Sequence, residues 1–263
     1  MPGSGENPVL NMIADINQHL GIPRPDTSPR GLISIILATY NEGENISDII
    51  HAIFSSLPGL VEIIVVDDNS PDLTWKIAID LGDPRVKVIR RMNTRGLASA
   101  INRGIIESQG DYIGWMDADL CHPPSLLPGM LASLTECDVV IGSRYVKGGK
   151  DDRAQSRVLT SRLINQLASL LLGHGILDYD SGFILMHRYV LVSVSLTPTG
   201  YGAYFIEFIY ACCRKGLKVV EMPYTFTERT RGVSKSNTNL FQFGIAGLGY
   251  ITRILKTRFS HLD

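Results

Sequence analysis

The sequence lacks several features that would assign a protein to a common class at once. Its 263 residues contain no apolar run of 18 or more, the usual sign of a membrane-spanning helix. The first residues lack the basic and then apolar pattern of a signal peptide. The four cysteines, Cys121, Cys137, Cys212 and Cys213, show no C-x-x-C spacing, and no structural disulfide is expected. We therefore expect a cytoplasmic protein, either soluble or peripheral on the cytoplasmic face of a membrane.

Two further absences concern nucleotides and nucleic acids. The net charge of −1 gives no general attraction for nucleic acid, so we expect no nucleic-acid partner. Neither a glycine-rich dinucleotide fingerprint nor a P-loop lysine motif is present, which argues against a dehydrogenase or a kinase. The length suits one large α/β domain or two small ones, and we favour one.

Continuous apolar runs that look like buried strands alternate with helical segments in the first part of the chain. The runs lie at 32–38, 61–66, 86–89, 112–116 and 138–141. After the first run, Ile46, Ile49, Ile50 and Ile53 follow the spacing of a helix that faces a sheet. This alternation predicts a mostly parallel sheet covered by helices on both faces.

Acidic residues follow three of these runs. Glu42 follows the first, Asp67 and Asp68 follow the second, and Asp117 and Asp119 follow the fourth. Because ligands of open α/β sheets bind outside the carboxyl ends of the strands, these side chains are expected to face a ligand. One such residue alone could be a helix cap, since Asp and Asn are favoured there. Their recurrence at successive strand ends favours a nucleotide site.

Asp117 and Asp119 stand one residue apart in the stretch DYIGWMDADLCHPP, residues 111–124. Two carboxylates so close repel each other, and a divalent cation relieves that repulsion. Hard oxygen ligands suit Mg²⁺ or Mn²⁺ and leave coordination positions for substrate phosphates. The alternative is a polar turn without metal, because short D-x-D patterns also occur by chance.

Seven stretches, in order along the chain, resemble the family 2 glycosyltransferases. They are LATYNE (37–42), VVDDNSPD (65–72), RGLASA (95–100), MDADLCHPP (116–124), GSRY (142–145), DYDSGF (178–183) and RTRGVSK (229–235). Within that family they are similar to the dolichyl- or polyprenyl-phosphate mannosyltransferases. The resemblance implies a GT-A fold with a Rossmann-like, nucleotide-binding amino-terminal half. It also implies metal-dependent, inverting transfer of a hexose from a nucleotide-sugar to a polyprenyl or dolichyl phosphate. The expected hexose is mannose, and the expected donor is of the GDP-mannose type.

The resemblance also implies roles for single residues on the donor side. The implied donor-binding residues are Ala38, Tyr40, Glu42, Asp67, Asp68, Asp117, Ala118, Asp119 and Arg144. Asp117 and Asp119 match the metal ligands, while Cys121 stands where the family has a glutamine that assists at the metal. A neutral thiol is a poor ligand for a hard cation, so water could fill that place. Ala38 stands where the family usually has a proline.

On the acceptor side, the resemblance implies a set of phosphate ligands. They are Arg157, Arg229, Ser234 and Lys235, and the implied catalytic residues are Asp119, Arg144 and Asp178. Arginine suits phosphate because it can form two parallel charge-assisted hydrogen bonds. A phosphate acceptor is already ionised and needs no general base, so Asp178 would orient the sugar or an arginine. A hydroxyl acceptor would need a base, for which Asp178 and Asp180 are candidates.

The remaining expectations concern domains, partners and alternatives. Residues 1–30 are expected to be an extension, 31–239 the GT-A domain, and 240–263 an amphipathic helix that lies in a membrane interface or packs on the core. A separate membrane-anchor protein is an additional expected partner. One alternative is a family 2 enzyme that uses a UDP-sugar such as UDP-glucose or acts on a hydroxyl acceptor. Another is a nucleotide-sugar binding or scaffold protein without activity.

Overall fold

A computed structural model describes residues 31–57, 59–200, 203–228 and 253–259. The predicted extension at 1–30 lies outside the described residues, as does most of the predicted terminal segment at 240–263. Within that segment, residues 253–259 are helical.

Strands and helices alternate from the start of the described chain. In order they are β1 (Ile33–Thr39), α1 (Ile46–Ser56), β2 (Val61–Asp67), α2 (Thr74–Asp80), β3 (Val86–Arg90), α3 (Leu97–Glu107), β4 (Tyr112–Trp115), α4 (Leu127–Ser133), β5 (Val139–Ser143), β6 (Lys150–Asp151), α5 (Gln155–Leu172), β7 (Ile184–His187), α6 (Val190–Ser193), α7 (Ala203–Arg214), β8 (Val219–Pro223), β9 (Thr225–Phe226) and α8 (253–259). The five strands expected up to residue 141 are all present.

The central sheet has seven strands in the order β3-β2-β1-β4-β7-β5-β8. Four of its neighbouring pairs are parallel, whereas β7 runs antiparallel to both β4 and β5. A separate two-stranded sheet pairs β6 with β9. The predicted α/β fold with a mostly parallel sheet and helices on both faces is therefore confirmed.

Hydrophobic layers cover both faces of the sheet, because successive strand residues point to opposite sides. Ile35 and Ile63 belong to one buried cluster, and Ile36 and Ile64 belong to the other. Helix α1 packs on the first cluster through its predicted isoleucines, of which Ile53 is 0% exposed. Burying one such side chain contributes roughly 1.5–3 kcal/mol.

Helix α5 and strand β7 were not expected from the sequence. The helix exposes three leucines, Leu159 at 61%, Leu163 at 57% and Leu170 at 81%. Apolar residues therefore occur on its outer face as well as its inner face. Because a helix is recognised in a sequence by apolar residues that recur on one face only, this helix could not be predicted. Strand β7 has only four residues, and a short apolar run does not reveal its direction.

The four cysteines are free thiols, in agreement with the sequence analysis. The Cys137 thiol donates to the Ser133 carbonyl oxygen at 3.1 Å, and burial raises its pKa to about 11. Such a thiol is protonated at neutral pH and behaves as a small core residue.

Gly114 in β4 allows the close approach of β7, and replacing it tests the sheet order. A Cβ atom there would lie 2.6 Å from the Ile184 carbonyl oxygen, which is backbone and cannot rotate away. We expect Gly114→Ala to lower the free energy of unfolding by at least about 1–3 kcal/mol, measured by urea denaturation.

Gly129→Ala is the matched control for this substitution. Gly129 lies in helix α4, and its added Cβ would meet only the flexible Met222 side chain, at 3.2 Å. Alanine also favours a helix over glycine by about 0.5–1 kcal/mol. Equal destabilisation by the two variants would contradict the tight pairing of β4 with β7.

Candidate active site

The register of the sheet brings the predicted site residues to one edge. Thr39 at the end of β1 pairs with Asp67 at the end of β2. Ile184, the first residue of β7, pairs with both Trp115 of β4 and Ile141 of β5. Because β7 is antiparallel, the loop before it lies at the same edge as the residues that follow β4 and β5. The stretches 116–124, 142–145 and 178–183 therefore meet there.

Asp67 is fully buried and its carboxylate is occupied by the protein itself. One oxygen accepts hydrogen bonds from the hydroxyls of Thr39 at 2.8 Å and Ser70 at 2.5 Å, and the other accepts the Ser70 N–H at 2.8 Å. These bonds shape the turn after β2. The expected contact of Asp67 with a nucleotide stays a prediction.

Asp68 links three elements through a network that was not expected. Its carboxylate accepts the Gly96 N–H at 2.8 Å and the Arg91 Nε–H at 2.6 Å. Arg91 also donates to the Ser99 hydroxyl at 2.9 Å and to the Gly96 carbonyl at 3.0 Å. The network ties the end of β2 to the end of β3 and the start of α3. Arg91 therefore fixes the orientation of Asp68.

The residues after β1 lie at the same edge. The buried Glu42 carboxylate accepts the Asn45 side-chain amide at 3.0 Å, and the Glu42 N–H donates to the Thr74 hydroxyl at 2.9 Å. The Tyr40 ring is half-buried, and the Arg95 guanidinium lies 4.7 Å from its centroid. Ala38 is half-buried within β1 and packs against the core.

Asp117 and Asp119 lie in a tight turn after β4. The Asp117 N–H donates to His122 Nδ1 at 3.0 Å, and the Asp119 carboxylate accepts the Cys121 N–H at 3.1 Å. Leu120 has a φ of 65°, in the left-handed region that is costly for a branched side chain. Such backbone strain concentrates at functional sites. The Asp117 side chain is 48% exposed, so it is open to a ligand.

The donor set at this turn fits a metal that arrives with its substrate. Within the described ranges, no group of three or more His, Cys, Asp or Glu side chains could hold a metal ion alone. Mg²⁺ is commonly held by one or two carboxylates together with substrate phosphates and water, which Asp117 and Asp119 could supply. Cys121 and Ala118 are each only 4% exposed, and Ala118 packs in the core. The assignments of Cys121 to a metal and of Ala118 to the donor stay predictions.

His122 is a buried, neutral support for this turn. Its ring is fully buried and stacks on Phe183, with centroids 5.0 Å apart and planes at 13°. Tyr224 and Phe226 meet it edge-on. Burial lowers the pKa of His122 to about 4, so the ring is uncharged at neutral pH. Because Nδ1 accepts the Asp117 N–H, the ring proton lies on Nε2.

Arg144 and Asp178 form a buried, bidentate ion pair. Nε and Nη2 of Arg144 donate to the two Asp178 oxygens at 2.8 and 2.7 Å, and the Arg144 backbone N–H adds a bond of 2.9 Å. The side chains are 4% and 0% exposed. Burial alone would lower the pKa of Arg144, but the charge of Asp178 outweighs it and holds the pKa above its usual range. Two predicted catalytic residues are thus in direct contact.

A second carboxylate lies beside this pair. Asp151 Oδ2 is 3.9 Å from Arg144 Nη1, and Arg153 donates to both Asp151 oxygens at 2.8 and 2.6 Å. The loop of Asp178 lies against the carboxylate turn, because a Cβ atom at Gly182 would be 3.8 Å from the His122 ring and Phe183 stacks on that ring.

The predicted acceptor residues are only partly described. Arg157 is half-buried on α5, with Nη1 3.7 Å from Glu228 Oε1. Arg229, Ser234 and Lys235 lie outside the described residues. A cavity of about 700 Å³ runs along α5. It is lined by Arg144, Tyr145, Gly149, Arg162, Asn165, Gln166, Ser169, Leu170 and Leu177.

Three residues that support the site were missed by sequence reasoning. They are Arg91, the buried His122, and Glu221 of β8, whose carboxylate accepts the Asp178 backbone N–H at 2.9 Å. The available signals were weak. Arg91 follows a strand within an arginine pair, and Glu221 is an acidic residue in the otherwise apolar strand VVEMP.

The fold is that of known sugar transferases. Glucosyl-3-phosphoglycerate synthase from Mycobacterium tuberculosis, solved with Mn²⁺, UDP-glucose and phosphoglyceric acid, superposes with a TM-score of 0.68 at 22% identity. The match covers 98% of this chain and 85% of that one. Together with the carboxylates at the sheet edge, this similarity defines the GT-A fold of glycosyltransferases.

The family follows from the sequence comparisons. The model of glycosyl transferase family 2 matches residues 34–194. Dolichol-phosphate mannosyltransferase of Pyrococcus furiosus is 40% identical over 231 residues, which cover 85% of this chain and 64% of that protein. Polyprenol monophosphomannose synthase of Mycolicibacterium smegmatis is 36% identical over 85% of this chain and 89% of its own length. The chain belongs to glycosyl transferase family 2, and it spans less than two thirds of the Pyrococcus relative.

The Arg144–Asp178 pair generates a stability prediction. Asp178→Asn removes the carboxylate that pairs directly with the buried guanidinium and leaves Asp151, 3.9 Å from Nη1, as the nearby negative charge. We expect a loss of about 3–5 kcal/mol in the free energy of unfolding. Asp80→Asn is the control, because Asp80 pairs with Lys76 at an exposed site and should cost less than about 1 kcal/mol. Urea denaturation of both variants measures the difference. Similar losses would show that Arg144 does not depend on Asp178.

Proposed function

We propose that this chain transfers mannose from a GDP-mannose-type donor to a polyprenyl phosphate, in a metal-dependent reaction that inverts the sugar configuration. The names of the Pyrococcus and Mycolicibacterium relatives support this reaction. The structural observation that carries the proposal is the cavity along α5, because it combines cations with apolar walls beside the ion pair.

The cavity suits a molecule with an anionic head and an apolar chain. Arg162 and Leu170 both line it, and Leu170 lies eight positions after Arg162 in α5, about 12 Å along a helix. Arg162 forms no ion pair with another described residue, and its position in the cavity lining would let it meet a phosphate. Leu170 and Leu177 supply apolar wall. A polyprenyl phosphate has both properties.

The outer face of α5 offers a route to a membrane surface. Leu159, Leu163 and Leu170 are exposed on one side of the helix, and Phe259 of α8 is 78% exposed. Among the described residues, no helix is both long and apolar enough to span a membrane. We propose that the protein meets its lipid acceptor at a membrane surface through these side chains. The sequence similarities give no support for a separate membrane-anchor protein.

On the donor side, Asp117 and Asp119 would hold Mg²⁺ or Mn²⁺ against the diphosphate. When bound, the cation would offset the negative charge that develops on the leaving group. Asp68, Glu42 and Tyr40 lie along the same sheet edge, in the proposed nucleoside site. Asp68 is held in one orientation by Arg91, so its carboxylate is preorganised rather than mobile.

The chemistry is a displacement at the anomeric carbon of the sugar. An oxygen of the acceptor phosphate forms the new bond to that carbon, and the bond to the donor diphosphate breaks, releasing the nucleoside diphosphate. The acceptor is ionised, so no proton has to be removed. The cations near the reacting anions, among them Arg144 and Arg157, reduce their repulsion and stabilise the leaving group.

A hydroxyl acceptor is less compatible with this site. Such an acceptor needs a general base, and both oxygens of Asp178 are occupied by Arg144. Asp178 is also fully buried, so it cannot reach a hydroxyl group in the cavity without losing its partner. Asp180 is the remaining candidate, since it is half-buried in the same loop.

The proposal predicts metal-dependent labelling of a lipid phosphate. We expect radiolabelled GDP-mannose, but not UDP-glucose, to label polyprenyl phosphate with Mn²⁺ present, and EDTA to abolish the transfer. Asp119→Asn should lower the rate by at least about 100-fold, because it removes charge where the diphosphate binds. The exposed Asp80→Asn variant should keep the wild-type rate.

Two outcomes would contradict the proposal. Labelling that persists in EDTA and in Asp119→Asn would remove the metal from the reaction. Labelling of a soluble hydroxyl acceptor, with none of polyprenyl phosphate, would show that the α5 cavity does not bind a lipid phosphate.

A further inference from the structure

The loop that carries Asp178 is held by a carboxylate from a strand that no predicted motif includes. The two oxygens of Glu221 in β8 accept two successive backbone N–H groups, those of Leu177 at 2.8 Å and Asp178 at 2.9 Å. Burial raises the pKa of the Glu221 carboxyl above its ordinary value. The neighbouring carboxylate of Asp178 acts in the same direction. Glu221 is half-buried, and the two N–H groups that it accepts compensate its carboxylate for the loss of water.

The position of Glu221 in the sheet relates it directly to Arg144. Glu221 pairs with Ile141 of β5, and Arg144 follows three residues later along that strand. The two strands are hydrogen-bonded neighbours in the sheet. Glu221, which anchors the Asp178 loop, and the backbone of Arg144 therefore belong to one rigid unit of the sheet.

A second contact holds the other end of the same loop. The buried Asn165 of α5 accepts the Asp180 N–H at 3.2 Å and donates to the Ser161 carbonyl at 3.0 Å. Arg144 Nη2 donates to the Asp180 carbonyl at 3.1 Å. Residues 177–180 thus connect strand β8, helix α5 and the guanidinium of Arg144. Of these contacts, only that of Glu221 fixes the backbone at Asp178 itself.

We propose that Glu221 is a positioning residue for the transfer reaction. It holds the backbone at Leu177 and Asp178, and Asp178 holds the guanidinium of Arg144. Arg144 lines the α5 cavity, in which the proposed function places the acceptor phosphate. Glu221 itself touches no substrate. The inference rests on the proposed function for the identity of the reaction, whereas the contacts themselves do not depend on it.

A carboxylate is required at this position because it has two acceptor oxygens and no donor. In Glu221→Gln the amide NH₂ group would oppose one of the two N–H groups, so the loop must shift or lose a bond. Glu221→Asp keeps the charge but is one methylene shorter, and it can reach only one of the two N–H groups. A small displacement of catalytic groups can cost about 100-fold in rate.

Glu62 provides a control on a distant part of the same sheet, because four strands separate β2 from β8. Its carboxylate in β2 also accepts a backbone N–H, that of Gln109 at 2.6 Å, and the Ser34 hydroxyl at 2.5 Å. Glu62 lies near the start of its strand, at the edge of the sheet opposite the site. Both bonds fall on one oxygen, Oε1, which a glutamine can keep. Glu62→Gln therefore makes the same change of carboxylate to amide without the clash expected at Glu221 and without touching the Asp178 loop.

The kinetic experiment compares transfer from GDP-mannose to polyprenyl phosphate by the wild type and three variants. In Glu221→Gln we expect kcat to fall by about 10- to 100-fold while the donor KM stays within about twofold. The kcat of Glu221→Asp should lie between the values for Glu221→Gln and the wild type. This variant also tests the inference if Glu221→Gln does not fold. Glu62→Gln should keep kcat within about twofold. Equal rates for the Glu221 and Glu62 variants would overturn the inference.

A second readout is independent of the reaction. The Nε–H signal of Arg144 in an ¹⁵N-arginine spectrum reports its paired contact with Asp178. We expect the signal to shift or exchange faster with water in Glu221→Gln and to stay unchanged in Glu62→Gln. An unchanged signal in Glu221→Gln would overturn the positioning role. If the wild type transfers no mannose at all, the proposed function fails, and this signal alone decides the role of Glu221.

Discussion

The site depends on one constraint, the need to neutralise a buried arginine. An unpaired guanidinium at the depth of Arg144 would cost several kcal/mol, so Asp178 must stay within hydrogen-bond distance. That requirement fixes the loop before β7 against the end of β5. Glu221 and Asn165 then hold the loop from β8 and α5. The positive charge of Arg144 is therefore fixed in position before any substrate binds. Enzymes use such preorganised charges to stabilise charge in the transition state, because the site need not reorganise during the reaction.

The acidic residues at the sheet edge divide into two groups by exposure. Asp67 and Asp68 are buried and already accept hydrogen bonds from the protein, so they shape and stiffen the turn after β2, beside the proposed nucleoside site. Asp117 is half exposed, and its backbone is held by the neutral ring of His122. The protein thus satisfies the inner carboxylates itself, whereas the proposed function assigns the outer pair to a cation and a diphosphate. Paired carboxylates therefore serve structure after β2 and, in the proposed function, the substrate after β4.

Much of the fold and part of the candidate site could be predicted from the sequence. The parallel strands could be predicted because each is a continuous apolar run followed by polar residues, as in β1 and β2. Helix α5 could not be predicted, because the apolar side chains of Leu159 and Leu170 face outward and the helix lacks a clear amphipathic pattern. The motifs located the Arg144 and Asp178 segments, but their contact depends on the antiparallel insertion of β7, a long-range feature. Glu221 was missed because its role exists only once β8 lies beside β5.

A double-mutant cycle on Arg144 and Asp178 tests the central claim most directly. Arg144→Ala, Asp178→Ala and the double variant would be compared with the wild type for free energy of unfolding and for transfer rate. The account predicts a coupling free energy of about 2–3 kcal/mol and a double variant no slower than either single one, as for residues that act as a unit. Additive effects in both measurements would contradict it.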